Sequence, residues 1–302
     1  MWSSELQQTI IQRCKAVQYR LQEPLSRHTS FRIGGPAAVM AFPKNTEELK
    51  LLLQGAAAAG TQPYILGAGT NILAPDAGLD ALVICLRDAL CGIRLLDETR
   101  MEVYAGESMA KAAVFAKNHA LTGLEFAHGI PGTLGGGVYM NAGAYGGELK
   151  QLVESVTILT LDGEEKTLSG EESAFAYRTS VFQQTPCVIV KAVLRLHPGD
   201  PEEISQTMRT LMERRRASQP LELPSAGSTF KRPTGYFAGP LIEQAGLKGC
   251  GTGGAEVSKK HAGFVVNTGG ATAEDVKKTI AMVQSRVWET SGVRLEPEVR
   301  IW

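Results

Sequence analysis

The stretch that decides the fold is Gly129-Ile-Pro-Gly-Thr-Leu-Gly-Gly-Gly-Val-Tyr-Met-Asn-Ala-Gly-Ala-Tyr-Gly-Gly147. Eight of its nineteen residues are glycine, yet apolar Ile130, Leu134, Val138 and Met140 are distributed among them. A flexible linker would carry Ser, Lys and Glu instead. The composition favours a buried, irregular backbone that passes close to a large flat ligand; tight turns over a core are the alternative.

A second glycine-containing turn precedes this run. The short apolar run Tyr64–Leu66 predicts a strand, and Gly67-Ala-Gly-Thr-Asn71 predicts an anion-binding turn after it. The turn begins like a dinucleotide-binding fingerprint, but Ile72 stands where the third glycine belongs. Pro75 and Gly78 also interrupt the helix that should follow. The sequence therefore predicts a pyrophosphate-binding turn of a non-Rossmann kind.

The hydroxyl of Ser228 is the first candidate for a reactive group. It follows Gly227, which permits a tight backbone path, and it is close in sequence to the cationic pair Lys231 and Arg232. Since there is no G-x-S-x-G frame, a proton donor or relay is favoured over a nucleophile. A serine in a polar turn before a proline is the alternative.

Six segments in order carry a resemblance to the UDP-N-acetylenolpyruvoylglucosamine reductase family. They extend from residue 28 almost to the C-terminus, and their combination is specific although each is weak alone. The segments are His28–Gly35, Gly67–Leu73, Gly129–Gly147, Tyr177–Ser180, Gly227–Lys231 and Leu295–Arg300.

The resemblance implies an α+β fold. It implies a two-part FAD-binding domain of the PCMH/vanillyl-alcohol-oxidase-like type, followed by a smaller α+β substrate-binding domain. We expect an N-terminal helix and lead-in over 1–26, the FAD-binding domain over 27–199 and the substrate-binding domain over 200–302. The segment His197-Pro-Gly-Asp-Pro201 is the predicted linker.

Periodicity and capping residues predict most of the elements. Helices are expected over 3–18, 45–60, 108–119, 203–218, 239–246 and 273–290, and strands over 38–42, 63–66, 81–86, 101–105, 153–161 and 187–196. A turn at Asp162-Gly163 joins a hairpin, and Thr272 and Asp275 form a capping box.

The segment from Arg294 to Ile301 alternates, which predicts a final strand. Pro297 removes a donor, so an edge strand is favoured. Alternation places Glu298 and Arg300 on one face, about 7 Å apart. Such a pair is most often a surface ion pair that contributes less than about 1 kcal/mol. The resemblance, however, puts the family's catalytic glutamate at Glu298.

The reaction that the resemblance implies is FAD-dependent reduction of UDP-N-acetylglucosamine enolpyruvate to UDP-N-acetylmuramate with NADPH, in peptidoglycan precursor synthesis. FAD is expected to be non-covalent, so His28 is interpreted as structural. Ser228 matches the family's proton donor. Arg178 and Glu298 match the residues that act on the substrate carboxylate, although Arg178 could instead order a loop.

The remaining site residues are also carried over from the resemblance. The FAD contacts are expected at Gly67, Ala68, Gly69, Thr70, Asn71, Ile72, Leu73, Gly129, Ile130, Pro131, Gly132, Thr133, Gly135, Gly136, Asn141, Gly143, Ala144 and Tyr145. The substrate contacts are expected at Arg232, Lys231, Arg300, Arg216, His261 and Asn267. Two departures stand out: Arg232 often corresponds to Asn in the family, and Thr70 replaces a common Ser.

Composition limits the other possibilities. Lys+Arg and Asp+Glu both total 31 in 302 residues, which argues against a nucleic-acid-binding surface, although Arg214–Arg216 is locally basic. The five cysteines are odd in number and lack a C-x-x-C spacing, so we expect reduced thiols in a cytoplasmic protein and no metal site. No export or membrane-spanning segment is indicated, and no protein partner is inferred.

Two other functions remain open on the residues alone. A generic FAD oxidase or dehydrogenase of the same superfamily would need a base that removes a proton from an alcohol or a sugar. A non-catalytic nucleotide-binding or flavin-storage module is the other, but it would not explain Ser228 or the Glu298/Arg300 pair.

Overall fold

The computed structural model describes residues 10–12 and 14–302. Two compact units make up the fold. The first unit contains the chain up to Gln22, Ala38–Ala68 and Asp80–Glu213, and the second unit contains Glu23–Ala37, Gly69–Leu79 and Arg214–Trp302. Each unit therefore combines distant segments. The linear domain bounds expected from the sequence stay a prediction.

Beyond Arg195, every strand of the described residues is only two or three residues long. They are β1 (Gln18–Pro24), β2 (Pro36–Phe42), β3 (Tyr64–Leu66), β4 (Ile72–Leu73), β5 (Leu79–Cys85), β6 (Ile93–Leu95), β7 (Arg100–Tyr104), β8 (Leu121–Thr122), β9 (Gly143–Ala144), β10 (Gly147–Glu148), β11 (Val153–Thr160), β12 (Glu165–Ser169), β13 (Cys187–Arg195), β14 (His197–Pro198), β15 (Gly251–Thr252), β16 (Ala255–Val257), β17 (Val265–Asn267) and β18 (Arg300–Ile301).

The helices fall between these strands without a strict alternation. They are α1 (Thr46–Ala58), α2 (Met109–Asn118), α3 (Leu134–Met140), α4 (Pro201–Ser218), α5 (Ala238–Gln244) and α6 (Ala273–Ser291), with short 3-10 turns at Leu25–Arg27, Glu125–Gly129, Leu149–Gln151 and Val181–Gln183. The irregular order confirms the predicted α+β class.

The first unit is built on two sheets. One has the order β1-β2-β5-β3, and the other is a five-stranded sheet with the order β12-β11-β13-β7-β6. Strands β11 and β12 form the predicted hairpin, in which Gly163 adopts a φ of +87° at the turn. Buried aliphatic side chains from β5, β7, β11 and β13 pack with α1 and α2 in one hydrophobic core.

The second unit is smaller. It contains the antiparallel sheet β15-β16-β17, the parallel pair β4 and β18, and helices α5 and α6. Its core is made of side chains from all three segments of the unit: Phe31, Leu73, Phe230, Val265 and Val283 are each at most 3% exposed. Hydrophobic burial therefore joins residues that are far apart in sequence.

Local capping signals gave three helices correctly. The Asn45 side chain accepts a hydrogen bond from the Glu48 amide, and the Ser108 hydroxyl accepts one from the Lys111 amide. Thr272 and Asp275 form the predicted capping box, and Gly292 ends that helix with a φ of +67°.

Three expectations differ from the structure. Helix 3–18 lies largely outside the described residues; within them Ile10–Gln12 are helical, but Gln18 already begins β1. The predicted linker is not free, because His197-Pro198 pairs with Leu121-Thr122. The glycine-rich run contains α3 and is not wholly irregular. Among the described residues, no helix combines the length and the apolarity that crossing a membrane requires.

Helix α6 receives a second cap from a distant segment of the same unit. The Asp76 carboxylate accepts hydrogen bonds from the amides of Ala273 (2.7 Å) and Glu274 (3.2 Å). These amides belong to the first helical turn, where the helix has no internal acceptors for them. A carboxylate there also interacts favourably with the helix dipole. Asp76 therefore fixes the Gly69–Leu79 segment to α6.

We expect Asp76→Ala to lower the free energy of unfolding by about 1 kcal/mol, the usual effect of losing a cap. Urea titration followed by circular dichroism would measure the change. Glu98→Ala, which removes an exposed carboxylate from a turn of the first unit, is the control. Equal stability of the two variants would show that the Asp76 contacts contribute nothing.

Candidate active site

The Ser228 segment of the second unit is held on both sides by backbone hydrogen bonds. The Thr229 amide donates to the Gly263 carbonyl (2.8 Å), and the Val265 amide donates to Thr229 Oγ1 (2.9 Å). On the other side, the Glu298 amide donates to the Thr229 carbonyl (2.8 Å), and the Lys231 amide donates to the Glu296 carbonyl (2.9 Å). Ser228 therefore lies on a fixed extended segment and not in a mobile turn.

The hydroxyl of Ser228 is only weakly engaged. Its Oγ donates to the Phe230 carbonyl at 3.4 Å, which is at the long limit for such a bond. Gly227 precedes it with a φ of +76°, a conformation that glycine adopts without strain. The Ser228 side chain is half-buried, and the next residue, Thr229, is buried. The hydroxyl proton can therefore be redirected to a ligand at small cost.

The C-terminal segment brings three of the predicted motifs together. The Arg300 amide donates to the Asn71 carbonyl (2.9 Å), and the Trp302 amide donates to the Leu73 carbonyl (3.1 Å). The Asn71 side chain donates back to the Glu298 carbonyl (3.1 Å). Residues 296–302 thus join the Ser228 segment to the Gly69–Leu73 segment within one unit.

The predicted strand over 294–301 is corrected in its extent. Only Arg300-Ile301 form a strand, parallel to Ile72-Leu73, and Pro297 makes a single bridge to Phe230. Leu295 and Val299 are buried as the alternation predicts, but Ile301 is exposed. Glu298 is half-buried and Arg300 is exposed. The segment pairs first with Phe230 and then with Ile72-Leu73, so neither pairing forms a long ladder.

Lys231 and Arg232, two of the predicted substrate contacts, follow Ser228 on its segment of the second unit. Lys231 Nζ is 3.2 Å from the carboxylate of exposed Glu296. Arg232 is exposed, and its guanidinium lies over the Phe237 ring at 3.9 Å from the ring centroid. Its Nε also donates to the Tyr236 carbonyl at 3.3 Å. The structure therefore holds both cations at the surface of the second unit.

His261 lies beside Gly263, next to Ser228. Its Nδ1 accepts a hydrogen bond from the Gly263 amide (3.1 Å), which leaves the proton of the neutral ring on Nε2. Burial lowers the pKa of His261, so the neutral ring is favoured. A Cβ on Gly263 would lie 3.7 Å from Ser228 Oγ and 3.0 Å from the imidazole. Because residue 263 is glycine, the side chains of Ser228 and His261 can both lie close to its backbone.

Asn267 and Arg216 have less connection to this region. Asn267 is buried, and its side chain donates to the Phe31 carbonyl and accepts from the amides of Gly269 and Ala271. These contacts hold the backbone on both sides of Asn267, and the substrate contact expected for this residue stays a prediction. Arg216 is exposed near the end of α4, and its carbonyl accepts from Lys260 Nζ (2.7 Å).

The predicted pyrophosphate turn is divided between the two units after Ala68. In the second unit, a Cβ on Gly69 would lie 2.1 Å from the His28 carbonyl oxygen, so glycine is required there by the chain itself. The His28 ring is 2.9 Å from the Glu23 carboxylate, which agrees with its structural interpretation. In the first unit, a Cβ on Gly67 would lie 2.6 Å from Thr133 Oγ1.

The glycine-rich run belongs to the first unit, and its central part is helix α3. Thr133 caps this helix, because its hydroxyl accepts from the Gly136 amide (3.3 Å). A Cβ on Gly135 would meet Ala105 at 2.8 Å, and a Cβ on Gly137 would meet the Met109 sulfur at 2.6 Å. These glycines therefore allow α3 to pack closely on β7 and α2, which composition alone did not indicate.

Arg178 lies in a two-residue turn that is fixed to the glycine-rich run. Its backbone has a φ of +55°, and its guanidinium donates to the Gly143 carbonyl (3.1 Å). Asn141 donates to the Ala176 carbonyl (3.0 Å), so the base of the turn is held as well. Gln183 donates to the Arg178 carbonyl (3.0 Å). The structure thus brings together two motifs that are separated in sequence.

Two observations in the first unit fit a flat cofactor along this run. The Gly67–Ala68 turn approaches Thr133 so closely that a side chain at Gly67 is excluded. His128, just before the run, has a buried Nδ1 without a hydrogen-bond partner among the described residues. Burial, with a smaller effect of Lys117, lowers the pKa of His128, so the ring stays neutral. A ligand that reaches the run could satisfy this atom.

Sequence reasoning missed several of these residues. The FAD contact expected at Asn141 stays a prediction, but the sequence did not indicate that its amide also holds Ala176, Glu148 and Lys150. Gln183 carried no local signal, because only the folded turn gives it a partner. Phe237 could have been found as half of an adjacent aromatic pair that follows a Pro-Thr-Gly turn.

Comparison with known families finds two matching models along the chain. A model described as an FAD binding domain matches residues 36–169, and a model described as the C-terminal domain of UDP-N-acetylenolpyruvoylglucosamine reductase matches residues 219–302. The chain thus has an FAD-binding region followed by a reductase C-terminal region, which confirms the two-part fold expected from the sequence.

Individual relatives cover almost the whole chain. The UDP-N-acetylenolpyruvoylglucosamine reductase of Caldanaerobacter subterraneus subsp. tengcongensis is 47% identical over 93% of this chain and 92% of the relative. That of Syntrophomonas wolfei subsp. wolfei is 43% identical over 93% of this chain and 94% of the relative. The crystal structure of UDP-N-acetylenolpyruvylglucosamine reductase (MurB) from Thermus caldophilus has a TM-score of 0.78 at 34% identity, covering 95% of this chain and 98% of that one. At this identity and coverage, the chain belongs to the UDP-N-acetylenolpyruvoylglucosamine reductase family.

Proposed function

We propose that this protein reduces UDP-N-acetylglucosamine enolpyruvate to UDP-N-acetylmuramate with NADPH and bound FAD, a step in peptidoglycan precursor synthesis. The observation that supports it best is the C-terminal segment, which holds Ser228, Glu298 and Asn71 in one unit. Since the reductant is NADPH and the five cysteines suit a reducing compartment, we propose that the reaction takes place in the cytoplasm.

FAD, when bound, would supply hydride-transfer chemistry, from NADPH to the methylene carbon of the enolpyruvyl group. The neighbouring carbon then needs a proton, and we assign that proton to Ser228 Oγ. The long bond to the Phe230 carbonyl leaves the hydroxyl able to donate elsewhere. A serine is a weak acid, so a hydrogen-bonded network must replace its proton.

The second requirement is stabilisation of the negative charge that develops towards the substrate carboxylate. We assign this role to Glu298 and Arg178. A protonated Glu298 would donate a hydrogen bond, and the fork of Arg178 suits a carboxylate. The backbone of Glu298 is fixed by Thr229 and Asn71, so its side chain starts from a defined position. Arg178 is fixed through its own turn in the first unit.

The proposed FAD contacts come from both units, and the proposed substrate contacts come from Arg214–Trp302 of the second unit. Gly67, Ala68 and the run from Gly129 to Tyr145 are proposed to hold FAD in the first unit. Thr70, Asn71 and their neighbours up to Leu73 are proposed FAD contacts on the second unit. Lys231, Arg232, Arg300, Arg216 and His261 are proposed substrate contacts. The four arginine and lysine side chains supply positive charge that suits a diphosphate.

An FAD oxidase that acts on an alcohol is the alternative enzyme. It would need a general base, whereas the fixed groups here are a serine hydroxyl and a histidine whose Nδ1 already accepts the Gly263 amide proton. A donor arrangement suits reduction of a carbon–carbon double bond better than oxidation of an alcohol.

Anaerobic spectroscopy of the purified holoprotein tests the proposed function. NADPH should bleach the absorbance of the oxidised flavin, and the enolpyruvyl UDP-sugar should restore it in a stoichiometric amount. A simple alcohol or sugar added to the reduced protein is the control and should restore nothing. If the UDP-sugar fails to reoxidise the flavin, the proposal is wrong.

We expect Ser228→Ala to slow reoxidation of the reduced flavin by substrate about 10²–10⁴-fold, because a general acid is lost. Reduction by NADPH should stay close to the wild-type rate. Stopped-flow absorbance measures the two half-reactions separately. Ser225→Ala, three residues earlier on the same segment, is the control. Equal slowing of both half-reactions would argue against a proton donor.

We expect Glu298→Gln and Arg178→Lys to slow the same half-reaction about 10²-fold or more, because each removes a group that stabilises charge in the transition state. Glutamine keeps the shape without the acidic proton, and lysine lacks the planar fork. Melting temperature and FAD content should match those of Glu289→Gln, a control on α6. A large fall in melting temperature with normal turnover of the folded fraction would give both residues a structural role.

A further inference from the structure

A compact turn after Ser228 exposes two neighbouring aromatic side chains. The Tyr236 amide donates to the Pro233 carbonyl (3.1 Å) and closes the turn, in which Gly235 has a φ of +78°. Tyr236 is 49% exposed and Phe237 is 58% exposed. The next residues, Ala238, Leu241 and Ile242, are buried and anchor α5. The helix is therefore held without Phe237, whose ring is left at the surface.

The exposed ring of Phe237 is paired with a cation. The Arg232 guanidinium lies 3.9 Å from the ring centroid, and its Nε donates to the Tyr236 carbonyl at 3.3 Å. Stacking on an aromatic face restricts a long side chain that would otherwise be mobile in water. The ring and the guanidinium thus form one flat, positively charged surface.

This surface lies at a suitable distance from the proposed proton donor. Ser228 and Arg232 are four positions apart in the chain. Their Cα atoms are therefore separated by at most about 14 Å. The segment up to Lys231 is fixed by the Gly263 carbonyl on one side and by Glu296 on the other. A long substrate can therefore present one end to Ser228 and its other end to Arg232.

A nucleoside diphosphate has the two chemical parts that such a surface binds. Its diphosphate accepts hydrogen bonds from a guanidinium fork, and its base has a flat face that stacks on aromatic rings. Exposed neighbouring aromatics that are not needed for packing are typical of binding sites. Phe237 has no assigned role in the proposed reaction.

We propose that Phe237 is a specificity-determining residue, whose ring stacks on the uracil of the UDP-sugar while Arg232 binds the diphosphate. This inference rests on the proposed function, because it takes the UDP-sugar as the substrate. It predicts that the aromatic ring at position 237 contributes to the affinity for the base, and that the reacting groups near Ser228 work normally without it.

Calorimetric titration of the holoprotein with UDP tests the inference. Phe237→Leu should weaken UDP binding about tenfold, as expected for the loss of one base-stacking contact. Phe237→Tyr, which keeps the ring, should bind UDP like the wild type. Inorganic pyrophosphate lacks the base, so its affinity should be much less affected by Phe237→Leu. The KM for the UDP-sugar should rise, while flavin reduction by NADPH is unchanged.

Trp288→Leu is the matched control, because Trp288 is also exposed and carries a stacked arginine, Arg294, at 5.0 Å. Normal UDP binding by Phe237→Leu would overturn the inference, and so would equal weakening of UDP and pyrophosphate. A failure of the proposed function is distinguishable, since it would appear as wild-type protein that does not turn over the UDP-sugar.

Discussion

The second unit depends on the hydrogen bonds of one extended segment, residues 296–302. The first part of this segment forms backbone hydrogen bonds with Thr229 and Lys231. Its last part forms backbone hydrogen bonds with Asn71 and Leu73. Both pairings are short, and a short strand pair by itself is at best marginally stable. Burial of Leu295 and Val299 in the unit's core supplies what the short ladders lack. The proposed proton donor and the proposed carboxylate partner are thus positioned by the same few amides.

Three non-glycine residues in the proposed cofactor region of the first unit have a left-handed backbone conformation. Asn141, Tyr145 and Arg178 have φ values of 43°, 56° and 55°, a region that non-glycine residues rarely adopt. Such a conformation costs of the order of 1–3 kcal/mol for bulky residues and persists only when surrounding contacts impose it. For Arg178 those contacts are the Gln183 amide and the Gly143 carbonyl. Strain that is held in this way points a side chain in a direction that a relaxed turn would not give it.

The sequence predicted what local chemistry determines. The helices that begin after Asn45, Ser108 and Thr272 were found because their caps lie within three residues of the amides they satisfy. Helix α3 was missed, since three of its seven residues are glycine, which disfavours a helix, and two of these glycines are used for close approach to Ala105 and Met109. The final strand was predicted too long because its partners come from distant segments.

The site was predicted through family motifs more than through geometry. The functional roles of Ser228, Glu298 and Asn71 stay predictions, and the sequence could not show that one backbone segment connects these residues. Arg232 was named without its aromatic partner, because a cation that stacks on a ring five residues later leaves no periodic pattern. Asn267 holds three backbone groups, a common use of a buried amide that the sequence did not indicate.

The three-segment construction of the second unit has a consequence for its synthesis on the ribosome. Phe31, Ile33 and Leu73 are buried in a core whose other side chains come mostly from Arg214–Trp302. At 5–20 residues per second, translation of Asp80–Glu213 alone takes on the order of ten seconds. During that time the early apolar side chains have no native partners and are exposed to chaperones, proteases and other nascent chains. The first unit is complete once Glu213 has been made, whereas the second must also wait for Arg214–Trp302, so the two units differ in how long they are vulnerable.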